Sequence, residues 1–158
     1  EYKHISKGDL LNFALEEKSD TLKGKFPFVE ADILLFGTMR AYLGNTCVTP
    51  SGNWIGKHGN ITYAVNSEFV KIRPFDDCNY FWWAYVKSPS FLREMPTGSG
   101  GTRPRVSPEL LGNIRVNVPD EDKRSEIDKE IKLLAKQSWS NYMQGKKILE
   151  NFRTEYAG

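Results

Sequence analysis

The chain has 158 residues, with 22 Lys plus Arg against 20 Asp plus Glu, so its formal net charge is +2 at pH 7. This length predicts one domain, or one domain with an appendage. The aromatic content of 13% excludes simple disorder, because such a chain has enough apolar surface to bury a core. No apolar run approaches the ~20 residues of a membrane helix and no signal peptide is visible, so we expect a cytoplasmic protein.

The distribution of charge is more informative than its sum. Two stretches contain no acidic residue, 33–67 and 95–108, and we call them the acid-free stretches. Arg40 and Lys57 lie in the first of them, and Arg103 and Arg105 lie in the second. The two stretches therefore predict a local positive face on a nearly neutral protein.

The two cysteines, Cys47 and Cys78, have neither CxxC spacing nor a nearby pair of histidines. This pattern indicates buried thiols rather than zinc ligands or a disulfide.

The first half of the chain predicts one helix and several short strands. Residues 6–9 indicate a helix start, with apolar residues at 10, 11, 14 and 15 on one face. Apolar runs or alternation predict strands at 33–36, 46–48, 61–65 and 69–73. The glycine-flanked segment 37–44 predicts a turn that faces solvent, and 49–60 predicts a long polar loop.

The middle of the chain predicts a helical part of the core. Residues 80–86 form the densest aromatic run at helical spacing, which favours a core helix over a surface on which bases stack. Just before it, Asp76 and Asp77 indicate a solvated turn rather than a magnesium site. Ser88 and Pro89 have the residue types of a helix N-cap and first helical position, so a second short helix is expected there.

The segment 96–119 joins a glycine-rich loop to two arginines. Glycines between 98 and 101 allow another backbone to come close, and Pro104 holds Arg103 and Arg105 on a rigid spacer. Ser107 and Pro108 predict a short helix, and the alternation over 114–118 predicts a half-buried strand. An ordinary surface loop with two solvated arginines remains the alternative.

The last segment, 120–158, predicts one helix of about 35 residues that starts on an acidic turn. Its imperfect apolar stripe needs a partner helix, in the same assembly or in another chain. The stripe includes Ile127, Ile131, Leu134, Ile148 and Phe152. The expected fold class is therefore α+β, with a mixed domain over 1–119 that contains a twisted, mostly antiparallel sheet, followed by this helix.

Signatures of catalysis are missing from the sequence. There is no phosphate-binding GxxxxGK[ST] loop, no HExxH, no GxSxG and no NPPY, and the two histidines have no clear partner. We therefore expect a binding module without catalytic residues, metal or cofactor. Its shape would suit a protein that binds an extended anion and is joined to other subunits by the helix.

Five segments in this order resemble the specificity subunit of type I restriction-modification systems. They are 31–35 (ADILL), 64–74 (AVNSEFVKIRP), 80–90 (YFWWAYVKSPS), Gly100-Gly101-Thr102 with Val106-Ser107, and 114–119 leading into the helix. The similarity is to one target-recognition domain plus one helical segment. Members usually carry two of each, so this chain resembles a half-length subunit or one half of a longer one.

The resemblance implies a non-catalytic subunit that reads one half of a bipartite site on double-stranded DNA. Its helix would form an antiparallel coiled coil, as a homodimer in a half-length subunit, and would dock the methyltransferase (modification) subunits. Those subunits would hold S-adenosylmethionine and methylate adenine, and a restriction/translocase subunit that uses Mg and ATP would cut. No membrane partner is implied.

Loop chemistry selects the candidate DNA contacts, since the resemblance does not fix base-reading residues. Arg40, Arg103 and Arg105 are candidates for reading guanine, and Asn53 for reading adenine. Lys57 and the backbone amides around Gly100 suit phosphates, while Tyr42 or Trp54 could stack on a base. Supporting polar contacts are expected from Thr38, Ser51, Ser99 and Thr102.

Two other functions remain open at this point. The chain could be a protein–protein interaction module with a coiled-coil helix and no DNA binding. It could also be a nuclease or methyltransferase fragment without its catalytic half.

Overall fold

The computed structural model describes residues 4–5, 11–15 and 26–156. Within these residues the fold is mixed α+β, with short antiparallel strands followed by helices, so the predicted fold class is confirmed at this level. The strands are β1 (Phe28–Val29), β2 (Leu34–Gly37), β3 (Thr46–Val48), β4 (Tyr63–Ala64) and β5 (Phe69–Ile72). The helices are α1 (Asn79–Val86), α2 (Pro89–Arg93), α3 (Pro108–Gly112) and α4 (Glu121–Tyr156).

The central sheet has the order β3-β2-β5, with both pairs antiparallel. Leu34 lies opposite both Val48 and Ile72, and at the other end of β2 Gly37 lies opposite Phe69. Every residue of β2 is buried, which is the environment that its apolar run predicts. β1 and β4 form a separate two-stranded sheet, so the strand predicted over 61–65 is shorter than expected.

Helix α1 packs on the central sheet and carries much of the core. Tyr80 and Trp83 lie in one buried cluster with Leu34 and Val48, so the core helix predicted from the aromatic run is confirmed. Both cysteines are buried free thiols, as predicted. Burial raises the pKa of the Cys47 thiol to about 12, which keeps it protonated at neutral pH.

Helix α4 is continuous over 36 residues, about 54 Å at 1.5 Å per residue, and confirms the predicted long helix. Its first half lies against α1: Ala135 and Trp139 are 1% exposed, and Ile131 packs on the same cluster as Tyr80 and Trp83. A partner for this half of the helix is therefore present in the chain itself. The second half differs, because Ile148 and Phe152 are 61% and 56% exposed.

Within this chain, the first half of α4 buries residues that lie outside its predicted apolar stripe. Leu134 is 53% exposed, whereas Ala135 and Trp139, which the prediction omitted, are the buried positions. The reason is that the buried face is set by the position of α1, which the sequence of α4 does not contain. Coiled-coil pairing through Ile127, Leu134, Ile148 and Phe152 stays a prediction.

Two predicted elements are not found. No strand forms over 114–118; instead the Tyr85 hydroxyl accepts from the Asn117 N–H (3.2 Å) and contacts its carbonyl oxygen (3.4 Å). The alternating pattern is present, but the backbone has no neighbouring strand with which to pair. Residues 11–15 are not helical, and the predicted helix start at 6–9 lies outside the described residues.

Candidate nucleic-acid interface

The two acid-free stretches meet in space just beyond the end of β2. The Arg40 N–H donates to the Pro104 carbonyl (2.7 Å), and the Val106 N–H donates to the Thr38 carbonyl (3.1 Å). Isolated bridges also join Met39 and Ser99 to Arg105. We call this region, formed by 38–44, Glu68 and 97–105, the arginine end of the sheet.

Arg40 lies in the left-handed region, at φ 50° and ψ 50°, which costs a residue other than glycine about 1 kcal/mol or more. Besides the backbone bond to Pro104, its Nη2 donates to the Thr102 carbonyl (3.2 Å). These contacts hold an exposed arginine in a conformation that it would otherwise seldom adopt. Backbone strain of this kind is common at binding sites.

The glycine-rich loop is held by a close backbone approach. Ser99 and Arg105 exchange two backbone hydrogen bonds, at 3.0 and 2.8 Å. A Cβ atom added at Gly98 would lie 2.7 Å from the Arg105 carbonyl oxygen, so only glycine fits there without a shift. Gly100 has φ 97°, which also favours glycine. The loop therefore has a defined conformation that backbone hydrogen bonds hold in place.

Arg105 is held by the carboxylate of Glu68. Its Nε donates to both carboxylate oxygens at 2.9 Å, and its Nη2 donates to Oε1 at 2.7 Å. The hydrogen bond from Arg105 lowers the pKa of Glu68 below its ordinary value, so the pair is charged at neutral pH. The sequence alone does not predict this role for Glu68, although Glu68 is the first acid after a long acid-free stretch and directly precedes β5.

Three of the predicted contacts lie at the other end of the sheet. Asn53, Trp54 and Lys57 belong to the 3-10 helix Gly52–Ile55 and the residues after it, which follow β3. Thr49 exchanges backbone bonds with Asp32 and Ile33, where β2 begins. The nine candidate residues therefore form two groups, separated by the length of β2, about 13 Å. The arginine-end group is Arg40, Tyr42, Gly100, Thr102, Arg103 and Arg105.

Trp54 has a structural role in addition to any role in binding. Its ring packs at 6.1 Å from the ring of Tyr80, and the residue is half-buried against the central cluster. Tyr42, the other aromatic candidate, is 55% exposed and lies beside Arg40 at the arginine end. Of the two, Tyr42 is better placed to stack on a base.

The predicted supporting residues lie in both groups. Thr38 is buried, and its backbone N–H and its hydroxyl both donate to the Glu68 carbonyl at 2.9 Å. Ser99 and Thr102 contribute backbone groups at the arginine end. Ser51 instead lies at the other end, where its hydroxyl donates to Asp32 (3.2 Å). Thr38 thus joins the backbone at Glu68 to the backbone at Val106, the residue after Arg105.

Where β2 begins, carboxylates accept hydrogen bonds from other parts of the protein. We call this region, which includes Asp32, Asp76 and Asp128, the carboxylate end. Asp76 accepts from the Cys78 N–H (3.2 Å), the Trp82 indole (3.0 Å) and Arg124 (2.5 Å). Burial alone would raise the pKa of Asp76, but these hydrogen bonds outweigh it and the pKa is lowered. The turn predicted here is present at 75–76, but the Asp76 side chain is only 8% exposed, so its predicted solvation is wrong.

Asp128 joins α4 to the start of α1. One of its carboxylate oxygens accepts from the N–H groups of Tyr80 (2.7 Å) and Phe81 (3.0 Å). These are among the N–H groups that a helix leaves without a partner in its own first turn. An acidic side chain on another helix therefore caps α1, a role that no local sequence pattern could show.

Among the described residues, no group of three or more His, Cys, Asp or Glu side chains could hold a metal ion. No helix in the described part of the chain is long and apolar enough to cross a bilayer.

Comparison of this chain with protein-family models, with curated proteins and with solved structures gave no match.

Proposed function

We propose that this chain provides one sequence-specific DNA-binding domain and one helical segment of the specificity subunit of a type I restriction-modification system. Its arginine end would contact one half-site of a bipartite target. The observation that carries the proposal is the pair of backbone hydrogen bonds, Arg40 to Pro104 and Val106 to Thr38, because they join the two acid-free stretches into one surface. A duplex needs cationic groups on one face of the protein, and Arg40 and Arg103 are both exposed there.

The chemistry of this surface suits DNA. A guanidinium donates two parallel hydrogen bonds to O6 and N7 of guanine, the commonest specific contact in the major groove. Backbone N–H groups of a glycine-rich loop can approach phosphates closely, and they position a protein without reading sequence. Arg40, Arg103 and Arg105 are all exposed beside the loop that contains Gly100.

Helix α4 would supply the assembly part of this function. Its second half exposes four large apolar or aromatic residues, Ile148, Leu149, Phe152 and Tyr156, at 56–70%. Pairing of two such helices would space two DNA-binding domains, so that a symmetric dimer reads a palindromic bipartite site. The methyltransferase subunits, which carry S-adenosylmethionine, would dock on the same assembly.

The test is methylome sequencing of a host that expresses this chain with its cognate modification subunits. We expect adenine methylation at a bipartite motif, and we expect its loss in the double variant Arg40→Ala, Arg103→Ala. The matched control is Arg73→Ala, Lys129→Ala, which removes the same charge from exposed residues away from the arginine end. A wild-type chain that produces no methylated motif, or a double variant that retains it, contradicts the proposal.

The second candidate is a protein–protein interaction module without DNA binding. The exposed apolar residues at the end of α4 favour it, because they need a partner whatever the globular part does. Salt-dependent retention of the chain on duplex DNA argues against it. Light scattering at tens of micromolar tests the pairing of α4 separately, since a monomer there would contradict the homodimer.

A further inference from the structure

The Arg105 side chain is oriented before any ligand binds. A guanidinium has two forks of parallel N–H groups, one formed by Nε and Nη2 and one by Nη1 and Nη2. Glu68 accepts from the first fork at 2.7–2.9 Å. The second fork is directed away from Glu68, on a side chain that is half exposed. Its Nη1 also donates to the Arg103 carbonyl at 3.4 Å, which holds the guanidinium further and leaves the second N–H of Nη1 for a base.

The backbones that carry this pair are fixed to each other through Thr38. The Thr38 N–H and hydroxyl donate to the Glu68 carbonyl, while the Thr38 carbonyl accepts from Val106, the residue after Arg105. Arg105 is further held by its two backbone bonds to Ser99. The backbones of Glu68 and Arg105 are therefore both fixed, so the Arg105 side chain loses little conformational freedom when it binds a ligand.

The charge of Glu68 decides which DNA group this fork suits. A carboxylate beside the arginine cancels much of its charge and repels a phosphate, so the pair is a poor phosphate contact. The O6 and N7 atoms of guanine are uncharged acceptors, and their recognition depends on the alignment of two donors. An arginine whose donors are aligned and whose charge is largely cancelled therefore fits the edge of a base better than a DNA phosphate.

We propose that Glu68 is a positioning residue, which holds Arg105 so that its Nη1/Nη2 fork reads one guanine in the major groove of the target. The inference rests on the proposed function and deepens it. It assigns Arg105 to base recognition and not to a phosphate, and it requires a G·C pair at one position of the half-site.

The test is selection of bound duplexes from a randomised double-stranded DNA library by the full chain, followed by sequencing. Glu68→Gln removes the charge, and Arg105→Lys keeps the cation but cannot form a fork. We expect both variants to lose at least about fivefold in preference for guanine at the same single position, since a bidentate pair discriminates by that much or more. The remaining positions of the motif should keep their preferences.

The matched control is Glu30→Gln, which removes one charge from another exposed Glu–Arg pair, Arg73–Glu30 at 3.7 Å, where β2 begins. This variant should select the wild-type motif. Thermal unfolding of each variant shows whether it is folded during selection, and Glu68→Ala replaces Glu68→Gln if the amide still orients Arg105.

The outcomes separate the two proposals. A wild-type motif that is unchanged in Glu68→Gln and Glu68→Ala overturns the positioning role and leaves DNA recognition standing. A uniform loss across all sequences in Arg105→Ala, with a change of about one in the salt dependence, assigns Arg105 to a phosphate and overturns the inference. A wild-type chain that selects no motif and shows no salt-dependent retention overturns both proposals.

Discussion

Where β2 begins, Asp76 and Asp128 direct their carboxylates toward groups of the protein, and where β2 ends Arg40 and Arg105 are exposed to solvent. Asp76 and Asp128 accept hydrogen bonds from buried or half-buried groups of α1 and α4. Arg40 and Arg105 are exposed, and the main chain around them is held by backbone hydrogen bonds. The same short sheet thus has one end built for assembly of the fold and one end suited to a ligand.

The two ends of the sheet use charged side chains differently, one for stability and one for binding. Buried charged groups that join elements of the fold already form hydrogen bonds within the protein. They therefore have few donors or acceptors left for a ligand. At the arginine end the backbone supplies the rigidity, and the side chains can serve recognition. Glu68 is the one described acid at that end, and it acts on the orientation of Arg105.

The largest loss of stability should come from a substitution at the carboxylate end. Asp76→Ala leaves Arg124, the Trp82 indole and the Cys78 N–H without their acceptor, in a site where Asp76 and Arg124 are only 8% and 17% exposed. We expect the free energy of unfolding to fall by about 3 kcal/mol. Urea denaturation followed by tryptophan fluorescence measures it.

Glu126→Ala is the control for this substitution, since Glu126 forms an exposed pair with Lys123 on the same helix. Such a pair contributes about 0.5 kcal/mol or less. DNA binding at 10 °C should be little changed in Asp76→Ala, because the site lies at the other end of the sheet. A loss of stability under 1 kcal/mol would show that the carboxylate end does not join α1 to α4 in the way described.

The sequence predicts local elements of this molecule better than the contacts between them. The strand over 33–36, the helix over 80–86 and the N-caps Ser88 and Ser107 follow from patterns only a few residues long, and the structure confirms them. The capping of α1 by Asp128 spans 47–48 residues of sequence and follows from no such pattern. The same holds for the buried face of α4.

The candidate site divides in the same way. The two acid-free stretches predict a positive face, and the residues around Arg40 and Arg103 do lie together. Composition could not show that Asn53, Trp54 and Lys57 lie beyond the opposite end of β2, because this depends on the direction of β3. Nor could it show the Glu68–Arg105 pair, whose members are 37 residues apart.

A smaller loss of stability is expected from a substitution that disturbs the backbone at the arginine end. Gly98→Ala brings a methyl group within 2.7–2.9 Å of the Arg105 backbone, so the loop or the strand-like segment at Arg105 must shift. Overpacking of this kind costs about 1–3 kcal/mol. We expect about 2 kcal/mol of stability to be lost, together with a lower affinity for duplex DNA in a fluorescence anisotropy titration.

Gly112→Ala controls for the added methyl group alone. No atom lies within 4 Å of a Cβ at Gly112, which ends α3. This variant should bind DNA like the wild type and should keep its stability to within about 0.5 kcal/mol. Equal effects of the two substitutions would show that the close approach at Gly98 does not hold the arginine end.

The smallest expected effect is the change with pH in the contribution of the Glu68–Arg105 pair to stability. The pKa of Glu68 is lowered below its ordinary value of 4.5 in the folded protein, first through the hydrogen bond from Arg105. The unfolded chain therefore binds more protons than the folded chain between these two values. The contribution of the pair is present above pH 4.5 and is lost as the pH falls through the lowered value.

Because both side chains have access to solvent, this contribution should be at most about 1 kcal/mol. The measurement compares urea unfolding of the wild type with that of Glu68→Gln from pH 7 down to pH 3, since glutamine does not titrate. The stability difference should be constant above pH 5 and should narrow below it. A difference that does not change with pH would mean that the pKa of Glu68 is the same in the folded and unfolded chain, which contradicts the charged pair described here.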